Sequence, residues 1–268
     1  MRNGYWYADR VSPTSTTPRP LVQSVARSLE ILEALASGGE LGVVEIAVRT
    51  GLRPSTVHRL LATLVARGYA VQIRRAGHYV LGYKLAELAG VLSDRSERLR
   101  ALARPHLASI REATGESANL SVLAPPNSVY IEHVDGTRAV RMSAHIGATV
   151  PAHAGAAGKA MLAFTAPEGV GDLLGGDPLP ALTERTITTL AALRAELETV
   201  RARGYAIDDE EHEPGVGCVA APILDRHGSA VAALSVSAPT QRIRASGPAH
   251  LGRLLAEHAA AISAALAA

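Results

Sequence analysis

Residues 51–69 read GLRPSTVHRLLATLVARGY, and this stretch decides how the N-terminal third is understood. Val57, Leu60, Leu61, Leu64 and Val65 recur at i, i+3, i+4, i+7 and i+8, the apolar stripe of an amphipathic helix. Pro54 suits the first helical turn, where its missing N–H is no loss, and Gly51 suits the left-handed end of a preceding helix. At roughly 100° per residue, Ser55, Arg59, Ala62 and Thr63 fall on the opposite face, flanked by Thr56 and His58. Arginine can pair bidentately with guanine, and short hydroxyl side chains reach phosphates or base edges at close approach. Taken alone, the helix could equally belong to a small helical domain that only packs or dimerises.

The flanking sequence favours the DNA reading. From Leu21, the residues Val22, Val25, Leu29, Leu32 and Leu35 recur in threes and fours, predicting a helix that ends near Gly38 and Gly39. VVEIAVRT predicts a second, shorter helix stopped by Gly51. Helix, glycine-containing turn and a helix with a small-polar and arginine face is the layout of a helix-turn-helix. YAVQIRRAGHYVLG then alternates apolar and polar residues on either side of Ala76 and Gly77, predicting a hairpin whose tip carries Arg74, Arg75 and His78. Those cations sit where a wing would meet a sugar-phosphate backbone. Charge is divided accordingly. Residues 1–104 hold 15 Lys and Arg against 8 Asp and Glu, a balance of +7, while residues 105–268 hold 12 against 17, a balance of −5. The basic half suits an anionic partner, although uneven solvated charge would produce the same asymmetry.

The rest of the chain excludes several classes. No run approaches the ~18 uninterrupted apolar residues of a membrane span. The first 20 residues lack the apolar centre of a secretory signal and read as a flexible, disordered tail. A single cysteine, Cys218, excludes an internal disulfide framework and suits the reducing cytoplasm. With 47% hydrophobic residues the 268-residue chain can fill two domains. Residues 83–104 predict a linker helix ended by Pro105; the alternative is a last core helix of the first domain. Beyond it, SANLSVLA, NSVYIEHVD, TRAVRMSA, GCVAAPILD and GSAVAALSVSAP read as strands. HLASIREATG, AAGKAMLAF, LAALRAELETVRARG and the alanine-rich C-terminus read as helices. The fold class is α+β.

No catalytic constellation emerges. GAAGKA lacks the spacing of a phosphate loop, and Ala160 replaces the magnesium-binding hydroxyl. No nucleophile elbow occurs. The acidic run DDEEHE at 208–213 reads as solvated, and a zinc site joining Cys218 to His133 or His153 is a weak alternative. A binding pocket fits better. HAGAAGK brings small residues to a helix start, and Ser235 and Ser237 share one face of a strand by its period of two. A small acid could lie among such donors, unless the serines face solvent. The competing classes are a small-acid-processing enzyme carrying a DNA-binding module, and a ligand-independent DNA-binding protein.

At this level the chain resembles the IclR family of bacterial transcriptional regulators over roughly residues 21–265. GLRPSTVHRLLATLVARGY followed by YVLGYKLAEL is similar to the family's winged helix and the start of its linker. Gly204, Asp208, Glu211, Cys218 and Asp225 keep the spacing of its C-terminal pattern, while Leu224 replaces the usual aromatic or histidine. RMSAHIGATVPAHAGAAGKAMLA and DDEEHEPGVGCVAAPI are similar to the acetate-operon repressor branch. The resemblance implies an N-terminal winged helix-turn-helix at 21–82, a linker helix at 83–104, and a GAF-like antiparallel sheet domain flanked by helices at 105–268. It implies a homodimer, or a dimer of dimers, on palindromic double-stranded DNA, regulated by a small carboxylic or keto acid, with no metal or other cofactor. DNA contacts would come from Ser55, Thr56, His58, Arg59, Thr63, Arg74 and Arg75. The implied effector pocket comprises Ala139, Val150, Ala156, Ala157, Asp208, Val216, Cys218, Ser235 and Ser237. Ala139 and Ala156 stand where that branch has a larger aliphatic residue and a glycine.

Overall fold

A computed structural model describes residues 21–73, 77–165 and 169–268, with the backbone alone of 92–95. Arg74 and Arg75, expected at the hairpin tip, and the expected tail at 1–20 lie outside the described residues. These residues divide into two compact units, with the division between Glu97 and Arg98.

The first unit contains α1 (Gln23–Gly38), α2 (Val43–Thr50), α3 (Pro54–Ala66) and the antiparallel hairpin β1 (Ala70–Ile73) and β2 (His78–Leu81). Gly51 ends α2 with a φ of 66°, the left-handed conformation expected of it, and Pro54 opens α3. Val57, Leu60, Leu61 and Leu64 are buried with Ile31, Leu35, Ile46, Ala70 and Tyr79 in a single core. Val65 lies at the edge of the stripe and is exposed. The expected stripe on α1 is corrected. Ile31 and Leu35 face the core, whereas Val22, Val25 and Leu29 are 66%, 57% and 54% exposed. At roughly 100° per residue those three lie between about a quarter and half a turn away from Ile31 and Leu35. The spacing therefore joined two faces, only one of which packs on α2 and α3. Gly82 locks the hairpin beneath α3: its N–H donates to the carbonyl of Tyr69, and a Cβ there would collide with the carbonyl of Gly68.

Pro105 does not begin a new helix. Helix α4 runs unbroken from Lys84 to Thr114 with Pro105 inside it. An internal proline removes a helical hydrogen bond and costs about 3 kcal/mol. Here Leu99, Ala103, Leu107 and Ile110 are all buried on either side of it. At about 1.5–3 kcal/mol for each large apolar side chain, that burial outweighs the lost bond.

The second unit is a six-stranded sheet, every neighbouring pair antiparallel, in the order β5-β4-β3-β8-β7-β6. Its strands are β3 (Ser117–Ala124), β4 (Asn127–Val134), β5 (Thr149–Pro151), β6 (Ala206–Asp209), β7 (Val216–Leu224) and β8 (Ala230–Pro239). Helices α5 (Ala156–Leu162), α6 (Val170–Leu174), α7 (Leu190–Arg203), α8 (Thr240–Ser246) and α9 (Pro248–Ala267) complete it among the described residues. The period of two sorts the strands between two cores. Leu120, Val219, Ala221, Ile223, Leu234 and Val236 join the core containing α9 and the end of α4. Cys218, Ala220 and Ala233 join the core built by α5, α6 and α7.

The strand expected in TRAVRMSA is absent, because this segment is tied past the end of the sheet. Arg138 pairs with Glu116, Arg141 with Asp135, the carbonyl of Val140 accepts from Arg242, and that of Met142 accepts from the Ser117 hydroxyl. The edge strands β5 and β6 take positions the sequence left unassigned. Among the described residues, no helix is long and apolar enough to cross a membrane.

Candidate DNA-reading face and effector site

On α3, Ser55, His58, Arg59, Ala62 and Thr63 are exposed and Thr56 is half-buried. Four helix positions buried at i, i+3, i+4 and i+7 hold this face rigidly against the core. Its outer surface combines hydroxyls, an imidazole and a guanidinium, the groups that phosphates and purine edges recognise. His78, grouped with the arginines at the hairpin tip, starts β2 instead and is paired through Nδ1 with Glu40 at 3.2 Å.

The second site lies on the α5 face of the sheet. Register aligns Asp208 on β6 with Cys218 on β7, and Cys218 with Ser237 on β8. One row along, Ala220 aligns with Ser235, and Ser235 with Asn119 on β3. Helix α5 packs over β7 and β8, bringing Ala156 and Ala157 into the same cluster as Cys218 and Ala220. Gly158 permits this approach, since a Cβ there would overlap the backbone of Ala152. Alternation puts Val216 on the same face of β7 as Cys218, half-buried at the strand's end. Val150, half-buried on β5, is the neighbour a Cβ on Gly155 would strike. Ala139 is exposed among the bends at 137–140, a segment that forms ion pairs instead of a strand.

Polar chemistry threads these residues. The Ser237 hydroxyl donates to the Cys218 sulfur at 3.4 Å and accepts from the Asn119 amide at 3.4 Å, and Asn119 Oδ1 lies 2.6 Å from His133 Nδ1. Ser235 is fully buried; its hydroxyl lies near the Cys218 thiol but makes no hydrogen bond of full geometry. Ser121, equally buried on β3, has a hydroxyl with no hydrogen-bond partner. A buried hydroxyl left unpaired costs about 1–3 kcal/mol, so an unsatisfied donor here is a place for a ligand oxygen. Burial pushes the Cys218 thiol up to about 12, which keeps it a neutral donor and makes it no nucleophile.

The acidic run is only half solvated. Asp208 and Glu211 are buried, whereas Asp209 and Glu210 turn outward to Arg185 and Arg244. The turn is made by Glu210, the one non-glycine residue among those described with positive φ, at 66°. Thr183 and Thr186 clamp it by donating to the carbonyls of Glu210 and Glu211 at 2.8 and 2.6 Å. Asp208 Oδ1 accepts the backbone N–H of Glu211 at 2.7 Å and of His212 at 3.4 Å. Burial nevertheless raises its carboxyl to about 6, because those two donors and the Lys159 ammonium only partly offset desolvation. Glu211 is also raised by burial; it forms an ion pair with Lys159, the largest fully buried side chain among the described residues.

Several of these residues escaped the sequence reading. Tyr130 of β4 lies among Ser237, Cys218 and Asp208, and burial raises its phenol well above the ordinary value. Asn119 is a polar residue at inward parity, and His133, weighed before only as a zinc ligand, is hydrogen-bonded to it. Lys159 carried a signal, as the only charge in an otherwise small and apolar helix. His153, weighed as a zinc ligand, bonds the carbonyl of Pro180 instead, and among the described residues no three His, Cys, Asp or Glu side chains are grouped to hold a metal ion.

A winged helix-turn-helix joined to an antiparallel sheet domain with a buried polar site defines a DNA-binding protein with an appended sensor-like domain. Comparison with known proteins makes the class specific. The pattern of the IclR helix-turn-helix domain matches residues 24–74, and that of the bacterial transcriptional regulator IclR C-terminal domain matches residues 92–264. The transcriptional repressor IclR of Escherichia coli is 40% identical over 225 residues, 83% of this chain and 82% of that protein. The acetate operon repressor of Salmonella typhimurium is 39% identical over 237 residues, 87% and 86% of the two chains. An IclR homolog from Microbacterium hydrocarbonoxydans, solved with 4-hydroxybenzoate, superposes with a TM-score of 0.73 at 29% identity, covering 91% of this chain and 98% of its own. The Thermotoga maritima IclR structure gives 0.72 at 31% identity, over 92% of this chain and 100% of its own. The chain belongs to the IclR family of transcriptional regulators, and its function is DNA-binding transcriptional regulation.

Proposed function

We propose that this protein is a cytoplasmic repressor that grips a palindromic operator as a homodimer and is regulated by a small carboxylic or keto acid in its sheet domain. Residues 21–82 would read DNA, residues 83–104 would transmit the signal, and the remainder would bind effector and assemble. Helix α3 would enter the major groove with Arg59 on a base edge and Ser55, Thr56, His58 and Thr63 on phosphates or bases. Arg74 and Arg75 would contact the backbone. A two-fold dimer calls for two half-sites spaced as its recognition helices are. The exposed apolar residues Leu21, Val22, Val25 and Leu29 support a second copy against α1.

The observation that carries the effector reading is Ser235: fully buried, without a hydrogen bond of full geometry, and close to the Cys218 thiol, whose own neighbours are Ser237, Asp208 and Tyr130. The remaining pocket residues are Ala156 and Ala157 on α5, with Val150 and Val216 at its rim. The relative named for an acetate operon and the homolog holding 4-hydroxybenzoate point to organic acids. The acid acts by preferring one arrangement of the protein, and linkage requires operator DNA to alter acid affinity in return. Mobility-shift titrations on the DNA upstream of the gene, with and without glyoxylate and pyruvate, test this. A Ser235→Ala, Ser237→Ala double variant that binds DNA but no longer responds supports the pocket; an unchanged response refutes it.

A further inference from the structure

The charges around the candidate effector site do not suit the ligand it is expected to take, and that mismatch has a chemical consequence. The groups facing Asp208 are Lys159 on α5, its neighbour Asp209 on β6, Glu211 and His212 on the turn beyond, Cys218 on β7 and Tyr130 on β4. Cys218 and Tyr130 are held neutral by burial, and burial likewise lowers His212. Asp209 is neutralised from outside by Arg185 and Arg244. Lys159, the one buried lysine or arginine among the described residues, is committed to Glu211. Asp208, 4% exposed, is therefore stabilised by two backbone N–H groups and, among cations, only by the ammonium already paired with Glu211. The site's hydroxyl donors would bring an acid's carboxylate onto the same sheet face as this buried carboxylate, where two negative charges repel strongly.

Resting on the effector reading above, we propose that the organic acid binds with uptake of one proton, held on Asp208, so that operator release by the acid is coupled to pH. A protonated Asp208 keeps its backbone hydrogen bonds on Oδ1 and gains an O–H that can donate to the effector. Two like carboxylates in one site are then replaced by an acid–carboxylate hydrogen bond. The proton is within reach, because burial has already brought this carboxyl to about 6 before any second anion arrives.

Linkage gives the signature. Where free Asp208 is ionised and bound Asp208 protonated, affinity for a permanent anion weakens towards about tenfold per pH unit as pH rises. Below about pH 6 the dependence flattens, since the free protein already carries the proton. Isothermal titration of the full-length protein with sodium pyruvate and sodium glyoxylate, from about pH 5.5 to about pH 8.5, in two buffers of different ionisation enthalpy, counts the protons directly. The expected result is an uptake rising towards one proton at high pH, and a pH-independent affinity in Asp208→Asn. Affinity flat with pH and heats independent of buffer would overturn the coupling while leaving effector binding intact. An Asp208→Asn protein that keeps the full wild-type slope would overturn its assignment to Asp208. No binding heat from either acid would remove the effector reading and the coupling with it. If Asp208→Asn fails to fold, the wild-type proton count still decides.

Discussion

Replacing Lys159 by methionine is the most informative perturbation of the second unit. The side chain is fully buried, and its ammonium is the ion-pair partner of Glu211, whose other oxygen has no hydrogen bond. Methionine retains the volume and removes only the charge, leaving a carboxylate uncompensated in the interior with Asp208 nearby. Breaking one half of a buried pair costs about 3–5 kcal/mol, whereas replacing both halves with apolar residues is often neutral. For a unit of this size each kcal/mol is worth roughly 2–4 °C in Tm, so Lys159→Met should lower the melting transition by about 10–15 °C. Adding Glu211→Leu should restore most of the loss. The pH dependence has a definite sign. Glu211 is already raised by burial, and losing its cation raises it further. A carboxyl raised in the folded state weakens folding above that folded value and not below its unfolded one. The deficit of Lys159→Met should therefore shrink as pH falls towards 4.5, the ordinary glutamate value. Scanning calorimetry on the full chain, following the transition of the sheet unit, measures all three quantities. A single variant melting within about 3 °C of wild type, roughly 1 kcal/mol, would refute a pair that compensates buried charge.

Three further outcomes are expected. Asp208→Asn should stabilise the ligand-free protein by about 2–3 kcal/mol near pH 7.5 and by only about 0.5 kcal/mol near pH 4, since the native carboxyl rises from 3.8 to about 6 on folding; equilibrium urea unfolding at the two pH values checks this. Arg59→Ala should cost about 1–3 kcal/mol of operator affinity and relax discrimination at one base pair, whereas a purely phosphate contact would weaken all sequences alike; competition shifts with point-mutated operators separate the two. Val25→Asp combined with Leu29→Asp, both on the exposed face of α1, should leave the melting of the first unit within about 0.5 kcal/mol of wild type and convert a dimer to monomer in sedimentation equilibrium. A dimer that persists unchanged would move the interface off α1.

The elements that could be read directly are those whose pattern is long and one-sided. In α3 a proline, a glycine before it and four buried apolar positions over about two turns agree with one another, and SANLSVLA coincides with β3 residue for residue. The failures have physical reasons of their own. On α1 the apolar residues Val22, Val25 and Leu29 form a stripe as regular as the core one, and local spacing cannot say which of two apolar faces the same unit covers. Pro105 is a helix breaker by its chemistry, yet the packing of Leu99, Ala103, Leu107 and Ile110 overrides it. Strands of three and four residues, β5 and β6, are too short for a period of two to declare itself.

The site was half legible for a related reason. Acidic runs are solvated as a rule, and nothing within DDEEHE distinguishes Asp208 and Glu211 from Asp209 and Glu210. The distinction comes from a left-handed residue at Glu210, two threonines about 25 positions earlier and a lysine 52 positions away. Ser235 shows the converse. A sheet with solvent on one side gives an inward-parity serine an alternative, and alternation alone cannot choose between the faces. This sheet is covered on both faces, so Leu234, Ser235 and Val236 are all completely buried, and no solvent side exists for the hydroxyl. Val236 and Leu234 are satisfied by packing; Ser235 is not satisfied by packing, and no hydrogen bond of full geometry satisfies its hydroxyl. A polar group so placed weakens the fold by itself, and the natural resolution is a ligand oxygen brought to it. The topology, by burying both faces, turns an unremarkable serine into the residue on which the proposed effector recognition rests.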